Sequence, residues 1–258
     1  MRNGRRTSVQ NVSPLPDSKF RFPHFHLFRT VLFLIPVIGA YTIVLGTLSI
    51  LSSVFERRGR FAHGCARLWS WLILATAGVR VRTTGLGQVG RGGTYVFVVN
   101  HQSIFDIPIV FASLPFQLRI AAKASLGAFP FIGWHLRRTG HLLVDRRSPG
   151  TTLFGRAAAL VRDGLSMVVF PEGTRSSDGT VARFKGGIFL VAIQAGLPVV
   201  PVSISGSRHV MTKGRLAVRP GRVSLAVHAP IETRGMSPDE AKSLATRVRE
   251  VVASGVHE

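Results

Sequence analysis

Hydrophobic and polar positions divide this 258-residue chain into three regimes. Residues 1–19 are polar and basic and carry Pro14 and Pro16. Such a stretch cannot bury enough apolar surface to order itself, so disorder is expected. Val31 to Phe55 then runs without a single Asp, Glu, Lys, Arg or His. As one straight helix it would measure roughly 38 Å, against about 30 Å of bilayer hydrocarbon. It is too long for the core of a signal peptide. Pro36, Gly39 and Gly46 interrupt it, which a membrane helix tolerates at the cost of a kink. A second apolar stretch, 68–79 with Trp69 and Trp71, is too short to span and suits an interfacial helix.

From Arg80 onward, short β-branched runs alternate with helix-period stretches. Strands are expected at 94–99, 117–121, 141–144, 166–170, 199–204 and 223–228, and helices at 103–114, 150–162, 186–195 and 238–253. The last helix has a capping box, with Ser237 as N-cap, Pro238 at N1 and Glu240 at N3. Pro201 inside its strand points to a sheet edge, a bulge or a ligand-facing rim. The alternation predicts an α/β fold, a mainly parallel sheet flanked by helices. Three parts follow: a basic arm over 1–29, a membrane-associated helical segment over 30–79, and an α/β domain over 80–258.

Composition sharpens this. Hydrophobics reach 46% and charged residues only 17%, which suggests membrane contact. Lys plus Arg outnumber Asp plus Glu by 33 to 12, a net charge of +21. That surface wants an anionic partner. The basic residues are scattered and no nucleic-acid-binding signature accompanies them, so no nucleic acid is expected. Arg21 and Arg29 precede the long apolar run and Arg60 and Arg67 follow it. Basic residues on both sides fit two cytoplasmic ends, a helical pair dipping into one leaflet; a plain transmembrane anchor is the alternative. The single Cys65 allows no internal disulfide.

Candidate chemistry begins at His101, placed at the turn after strand 94–99. Ser103 is expected as N-cap of the next helix with Asp106 at its N3 position, letting the carboxylate bend back toward the imidazole. An Asp on one ring nitrogen leaves the other free to take a proton. The spacing alone equally fits a turn histidine beside a helix-start aspartate. A second cluster, Phe170-Pro-Glu-Gly-Thr-Arg175, follows strand 166–170. Arg175 can clamp a phosphate, and Gly173 lets backbone N–H groups approach it; an ordinary Pro-Gly turn is the plainer reading. Gly140 to Arg147 reads as a strand emerging into a basic turn, solvated or phosphate-facing. There is no Gly-x-Ser-x-Gly elbow and no metal-ligand spacing.

Asn100-His101-Gln-Ser103-Ile-Phe-Asp106, Gly140…Asp145-Arg146, Phe170-Pro-Glu-Gly-Thr-Arg175 and Val200-Pro201-Val202 together resemble the four ordered blocks of the glycerolipid acyltransferase family, closest to bacterial 1-acyl-glycerol-3-phosphate acyltransferases. The resemblance covers roughly residues 80–230; in the second block His141-Leu-Leu-Val replaces a more usual aromatic-containing strand. It implies transfer of a fatty acyl group from acyl-coenzyme A or acyl carrier protein to the 2-hydroxyl of lysophosphatidic acid, at the cytoplasmic face of the inner membrane. Other acceptors (glycerol-3-phosphate, a lyso-amino lipid) and a thioesterase are the alternatives. His101 and Asp106 would be catalytic. Lys123, Arg146, Glu172, Gly173, Thr174 and Arg175 would bind substrate, with Glu172 ordering the loop or touching the glycerol. Oxyanion donors are expected among backbone N–H groups near the start of the Ser103 helix. No metal or cofactor is expected.

Overall fold

A computed structural model describes residues 24–56, 59–144, 160 and 163–257. The expected arm over 1–19, helix 150–162, Asp145, Arg146 and Arg147 lie outside the described residues, Leu160 apart.

Among the described residues the sheet has seven strands: β1 Val79–Thr84, β2 Val96–Val99, β3 Leu118–Lys123, β4 Leu142–Val144, β5 Ser166–Val169, β6 Val199–Ser205 and β7 Gly221–Val227. Their order is β1-β7-β6-β2-β5-β3-β4. Strands β2 to β6 run parallel, and β7 pairs antiparallel with β6 while running parallel to β1. The sheet is therefore mixed but mostly parallel, flanked by helices on both faces. All four residues of β2 are buried. That is why its sequence is a continuous apolar run instead of an alternation.

β1 was not among the expected strands. Val79-Arg80-Val81-Arg82 carries the period-2 signal of a half-buried strand, but the apolar stretch 68–79 runs directly into it. Gly78, at φ 75°, ends the helix before it. Pro201 also sits differently from expectation: β6 is an interior strand, between β2 and β7. Its carbonyl accepts from His228 N, so its polar groups face β7, and the β6–β7 ladder starts only at Val202. The missing N–H thus falls just before that ladder begins.

The helices are α1 Phe25–Phe55, α2 Arg60–Ala77, α3 Asp106–Ser113, α4 Ile132–Arg138, α5 Gly187–Gln194, α6 Ser207–Val210 and α7 Ala241–Ser254. α1 is long and apolar enough to cross a membrane. Its turn Thr30–Leu34 is a π-helix, with Ile35 N bonded to Thr30 O. Pro36 has no N–H to offer Leu32, and the widened turn just ahead of it accommodates that gap. α2 folds back along α1, and the expected second helix is longer than its apolar stretch because Arg60 to Arg67 join it.

This helical pair shares a core with the sheet. Leu34, Ile73, Leu74 and Ala77 belong to one core with Phe97, Val99, Ile109, Phe111, Ile120 and Leu225. Arg29 donates to the carbonyls of Thr76 (3.1 Å) and Ala77 (2.8 Å), satisfying the C-terminus of α2. Val218 N donates to Thr30 Oγ1 at 2.9 Å. The outward side of α1 stays apolar and exposed at Phe28, Leu32, Val44, Val54 and Phe55. A second core on the opposite face packs α5 and α7 against Val96, Val98, Met167, Val169 and Val199.

A polar cluster is buried where α1, α2 and α4 meet β3. His135 Nδ1 and Ser49 Oγ share a hydrogen bond of 2.5 Å, and His141 Nδ1 accepts from Ile120 N at 3.0 Å. Burial, with the Arg119 guanidinium close by, pushes His63 and His135 down to about 4 and His141 well below the usual histidine value. All three are neutral in the fold at pH 7, whereas in the unfolded chain they protonate near 6.5. Below pH 6.5 the unfolded state therefore binds more protons, and stability falls as pH falls toward 4. Thermal unfolding in detergent should show a Tm level above pH 7 and declining from pH 6.5 to 5, before most carboxylates titrate. A flat profile across that window contradicts the burial of neutral imidazoles.

Candidate active site

The parallel neighbours β2 and β5 feed helices on opposite faces: α3 packs in the core with α2, and α5 in the other. Two chains leaving adjacent strands in opposite directions open a crevice beyond the strands' carboxyl ends, the usual ligand site of such sheets. Both candidate clusters line it. The turn 100–105 follows β2, and the loop 170–186 follows β5.

Asn100 ends β2 with its side chain buried. Its Nδ2 donates to Ile204 O at 2.9 Å, and its Oδ1 accepts from Ile204 N at 2.7 Å. The amide thus continues the β2–β6 ladder where the backbone turns away. His101 Nδ1 donates to Asp106 Oδ2 at 2.8 Å, with side-chain exposures of 14% and 0%. The same oxygen accepts from the backbone N–H groups of Gln102 (2.7 Å) and Ser103 (2.8 Å). With its Nδ1 hydrogen held by the carboxylate, the ring presents a lone pair at Nε2. Phe170 stacks on the ring at 4.3 Å between centroids.

Two local expectations change here. Ser103 is not the N-cap: its hydroxyl donates to Met211 O at 2.8 Å, and α3 starts at Asp106 with Phe105 before it. Oxyanion donors are expected near the start of this helix, and there the N–H groups of Gln102 and Ser103 are taken up by Asp106. The buried carboxylate has the stronger claim, because leaving it with fewer donors costs more than a neutral group would.

Glu172 holds the two loops together. Its Oε1 accepts from His101 N at 2.7 Å and its Oε2 from Ala182 N at 2.9 Å. His101 O in turn accepts from Ser176 N at 2.7 Å. Burial raises the Glu172 carboxyl, and the two N–H groups pull it back in part. These two bonds order the loop, one of the two roles expected of Glu172. Gly173 has φ 74°, and a Cβ there would come within 3.1 Å of Lys185 Nζ, so the Lys185 side chain lies across it. Arg175 is partly exposed beside exposed Thr174, and its carbonyl accepts from Lys213 Nζ at 2.8 Å. Lys123, exposed at the end of β3, stands two strands from β2, about 10 Å along the rim.

The structure thus gathers His101, Asp106, Glu172, Gly173, Thr174 and Arg175 at one crevice, with Lys123 farther along. Sequence reasoning missed Lys185, Lys213 and Arg249. Lys185 follows an aromatic at the loop's return and was within reach of a motif search. Lys213 and Arg249 come from segments with no local signal. Arg249, on α7, donates through Nε and Nη2 to Val181 O (3.1 and 2.7 Å) and through Nε to Ala182 O (3.2 Å). Among the described residues no group of three His, Cys, Asp or Glu could hold a metal ion.

Beside the crevice an apolar cavity of about 400 Å³ lies between the α1–α2 pair and α3–α4. Ile104 and Phe105, from the His101–Asp106 turn, form part of its wall, as do Leu45, Trp69, Phe131 and His135. Cys65, also on its wall, is a buried free thiol whose pKa burial raises.

The acyltransferase family model matches residues 80–205. A chloroplastic 1-acyl-sn-glycerol-3-phosphate acyltransferase of Brassica napus is 31% identical over 245 residues, 89% of this chain and 70% of its own length. The alpha form of that enzyme from Bos taurus is 33% identical over 175 residues, 67% of this chain, and its matched part is 61% of its own length. The crystal structure of the 1-acyl-sn-glycerophosphate (LPA) acyltransferase PlsC from Thermotoga maritima superposes with a TM-score of 0.76 at 29% identity, covering 90% of this chain and 95% of that one.

Arg249→Ala should loosen the loop without touching the crevice. Amide hydrogen exchange at His101, Ser176 and Ala182 should speed up by about 2- to 30-fold, the range of ~0.5–2 kcal/mol seen for coupled positions. Arg249→Lys should restore part of the protection. Unchanged exchange at His101 would show that the α7 contact ends at the loop.

Proposed function

The chain belongs to the acyltransferase family of the 1-acyl-sn-glycerol-3-phosphate acyltransferases, and on that premise we propose that it acylates the sn-2 hydroxyl of lysophosphatidic acid from a thioester donor, giving phosphatidic acid. The observation that carries the reading is the His101–Asp106 pair, held by one hydrogen bond through Nδ1 and set between the loop that carries Arg175 and the turn that walls an apolar cavity.

In this mechanism Nε2 of His101 takes the proton of the acceptor hydroxyl as that oxygen attacks the thioester carbonyl. The buried Asp106 carboxylate stabilises the imidazolium and keeps the ring in one tautomer. Collapse of the tetrahedral intermediate breaks the C–S bond, and the imidazolium returns the proton to the departing thiolate. Proton transfer of this kind contributes roughly 10²–10⁴ in rate. No metal enters these steps; imidazole and carboxylate supply the proton chemistry.

The acceptor phosphate binds at Arg175, with Lys185 and Lys213 adding charge from either side of the loop. Lys123 and Arg146 are the further candidates for its rim. Thr174 and the backbone around Gly173 complete the anion-binding turn. The acyl chain occupies the apolar cavity, whose near wall is the catalytic turn itself. The exposed apolar side of α1 seats the protein in the membrane. Because α2 returns along α1 and ends beside Arg29, both ends of the pair lie on one side. That arrangement supports anchorage in the cytoplasmic leaflet of the cell membrane, with the crevice facing the cytoplasm. Coenzyme A or acyl carrier protein carries the donor thioester.

Two substitutions test this with detergent-solubilised protein, acyl-coenzyme A and lysophosphatidic acid. His101→Ala should lower kcat by ~10²–10⁴-fold with circular dichroism and vesicle binding unchanged; near-normal turnover overturns the base role. Arg175→Ala should raise KM for lysophosphatidic acid by about 10- to 100-fold, the loss of a charged hydrogen bond, at an unchanged donor KM. A change confined to the donor constant removes Arg175 from the phosphate site. Thiol release that needs no acceptor would make the protein a thioesterase.

A further inference from the structure

Among the described residues the β1–β7 end of the sheet is packed on one face only. Val79, Val81, Val223 and Leu225 face the core shared with α2. The opposite face of the same strands carries Arg80, Arg82, Arg222 and Ser224, all exposed. The core packed on that side by α5 and α7 includes no residue of β1 or β7.

The register sets Arg80 beside Arg222 and Arg82 beside Ser224. Neighbouring strands lie about 4.8 Å apart, so two guanidinium groups share one patch. Like charges opposite each other across a sheet are unfavourable. Among the described residues none of the three arginines forms an ion pair with a carboxylate. An anionic partner would relieve that repulsion, and the overall +21 charge would steer it in.

The position of the patch limits what the partner is. β7 runs antiparallel to β6, with Ser224 beside Ser205, and Asn100 bonds to Ile204. Ser224 is therefore level with the start of the catalytic turn, and Arg222 and Arg80 stand on the rim beyond it. They lie two and three strands from β2, roughly 10 and 14 Å sideways. The apolar helices pack on the other face, so a membrane that takes up α1 meets the sheet from the side away from these arginines. The surface is a flat open sheet, unlike the concave pockets that hold small nucleotides. Flat, charged and facing water, it suits a protein surface.

We propose that the Arg80–Arg82–Arg222 face docks an acidic acyl-carrier protein, which delivers its thioester over the sheet rim to His101. The proposal rests on the acyl-transfer reading given above. Lipid acceptor and soluble donor then approach from opposite faces of one sheet.

The test is the triple charge reversal Arg80→Glu, Arg82→Glu, Arg222→Glu in the full chain. Binding to acyl carrier protein is measured by calorimetry, and transfer is measured from acyl carrier protein and from acyl-coenzyme A. Carrier binding should weaken by about tenfold or more, as expected for reversed rim charges, and kcat/KM with the carrier donor should fall in parallel. With the coenzyme donor kcat/KM should stay within about twofold, which also reports an intact fold. Equal losses with both donors, or unchanged carrier binding, overturn the surface. So does a loss confined to binding of phosphatidylglycerol vesicles, which would make this face a membrane contact. Wild-type protein that transfers from neither donor overturns the acyl-transfer reading instead, while the calorimetric comparison still decides the docking face.

Discussion

A buried negative charge organises this site. One oxygen of Asp106, shut away from water, collects the imidazole N–H of His101 and two backbone N–H groups. Moving a carboxylate out of water is so costly that it persists only where donors converge on it. The turn from β2 to α3 supplies those donors, and in doing so its shape and the tautomer of the histidine are set together. The bond fixes which ring nitrogen of His101 carries the hydrogen.

A second buried carboxylate repeats the idea at longer range. Glu172 bonds the backbone of His101 with one oxygen and that of Ala182 with the other. The loops after β2 and β5 thereby behave as one unit. Arg249 extends the unit to the C-terminal helix, outside the region matched by the family model. A side chain on α7 is thus linked, through the loop and Glu172, to the backbone of His101.

The two faces of the sheet divide the work. On one, the α1–α2 pair merges its core with that of the strands and encloses an apolar cavity whose wall includes the His101–Asp106 turn. On the other, α5 and α7 close the core around β2, β5 and β6 and leave a strip of arginines in water. The proposed transfer between a membrane lipid and a water-soluble thioester needs both environments within reach of His101. Placing that residue at the switch point between β2 and β5 puts it on the rim where the two faces meet.

Much of this was legible along the chain because it depends on local pattern. Buried parallel strands read as apolar runs, the long uncharged segment as a helix, and the His-x4-Asp spacing as a ring and carboxylate within reach of each other. β1 was equally legible, in its Val-Arg alternation, but was masked by the apolar helix running into it. Other features had no local signature. That Ser103 bonds Met211 instead of capping α3, that Pro201 lies in an interior strand, and that Glu172 reaches His101 depend on segments many residues apart. Side-chain periodicity and turn chemistry act over a few residues, so the sequence by itself determined the elements and the chemical groups they carry. Which donors meet which buried charge is a matter of long-range packing and desolvation, and only the tertiary structure decided it.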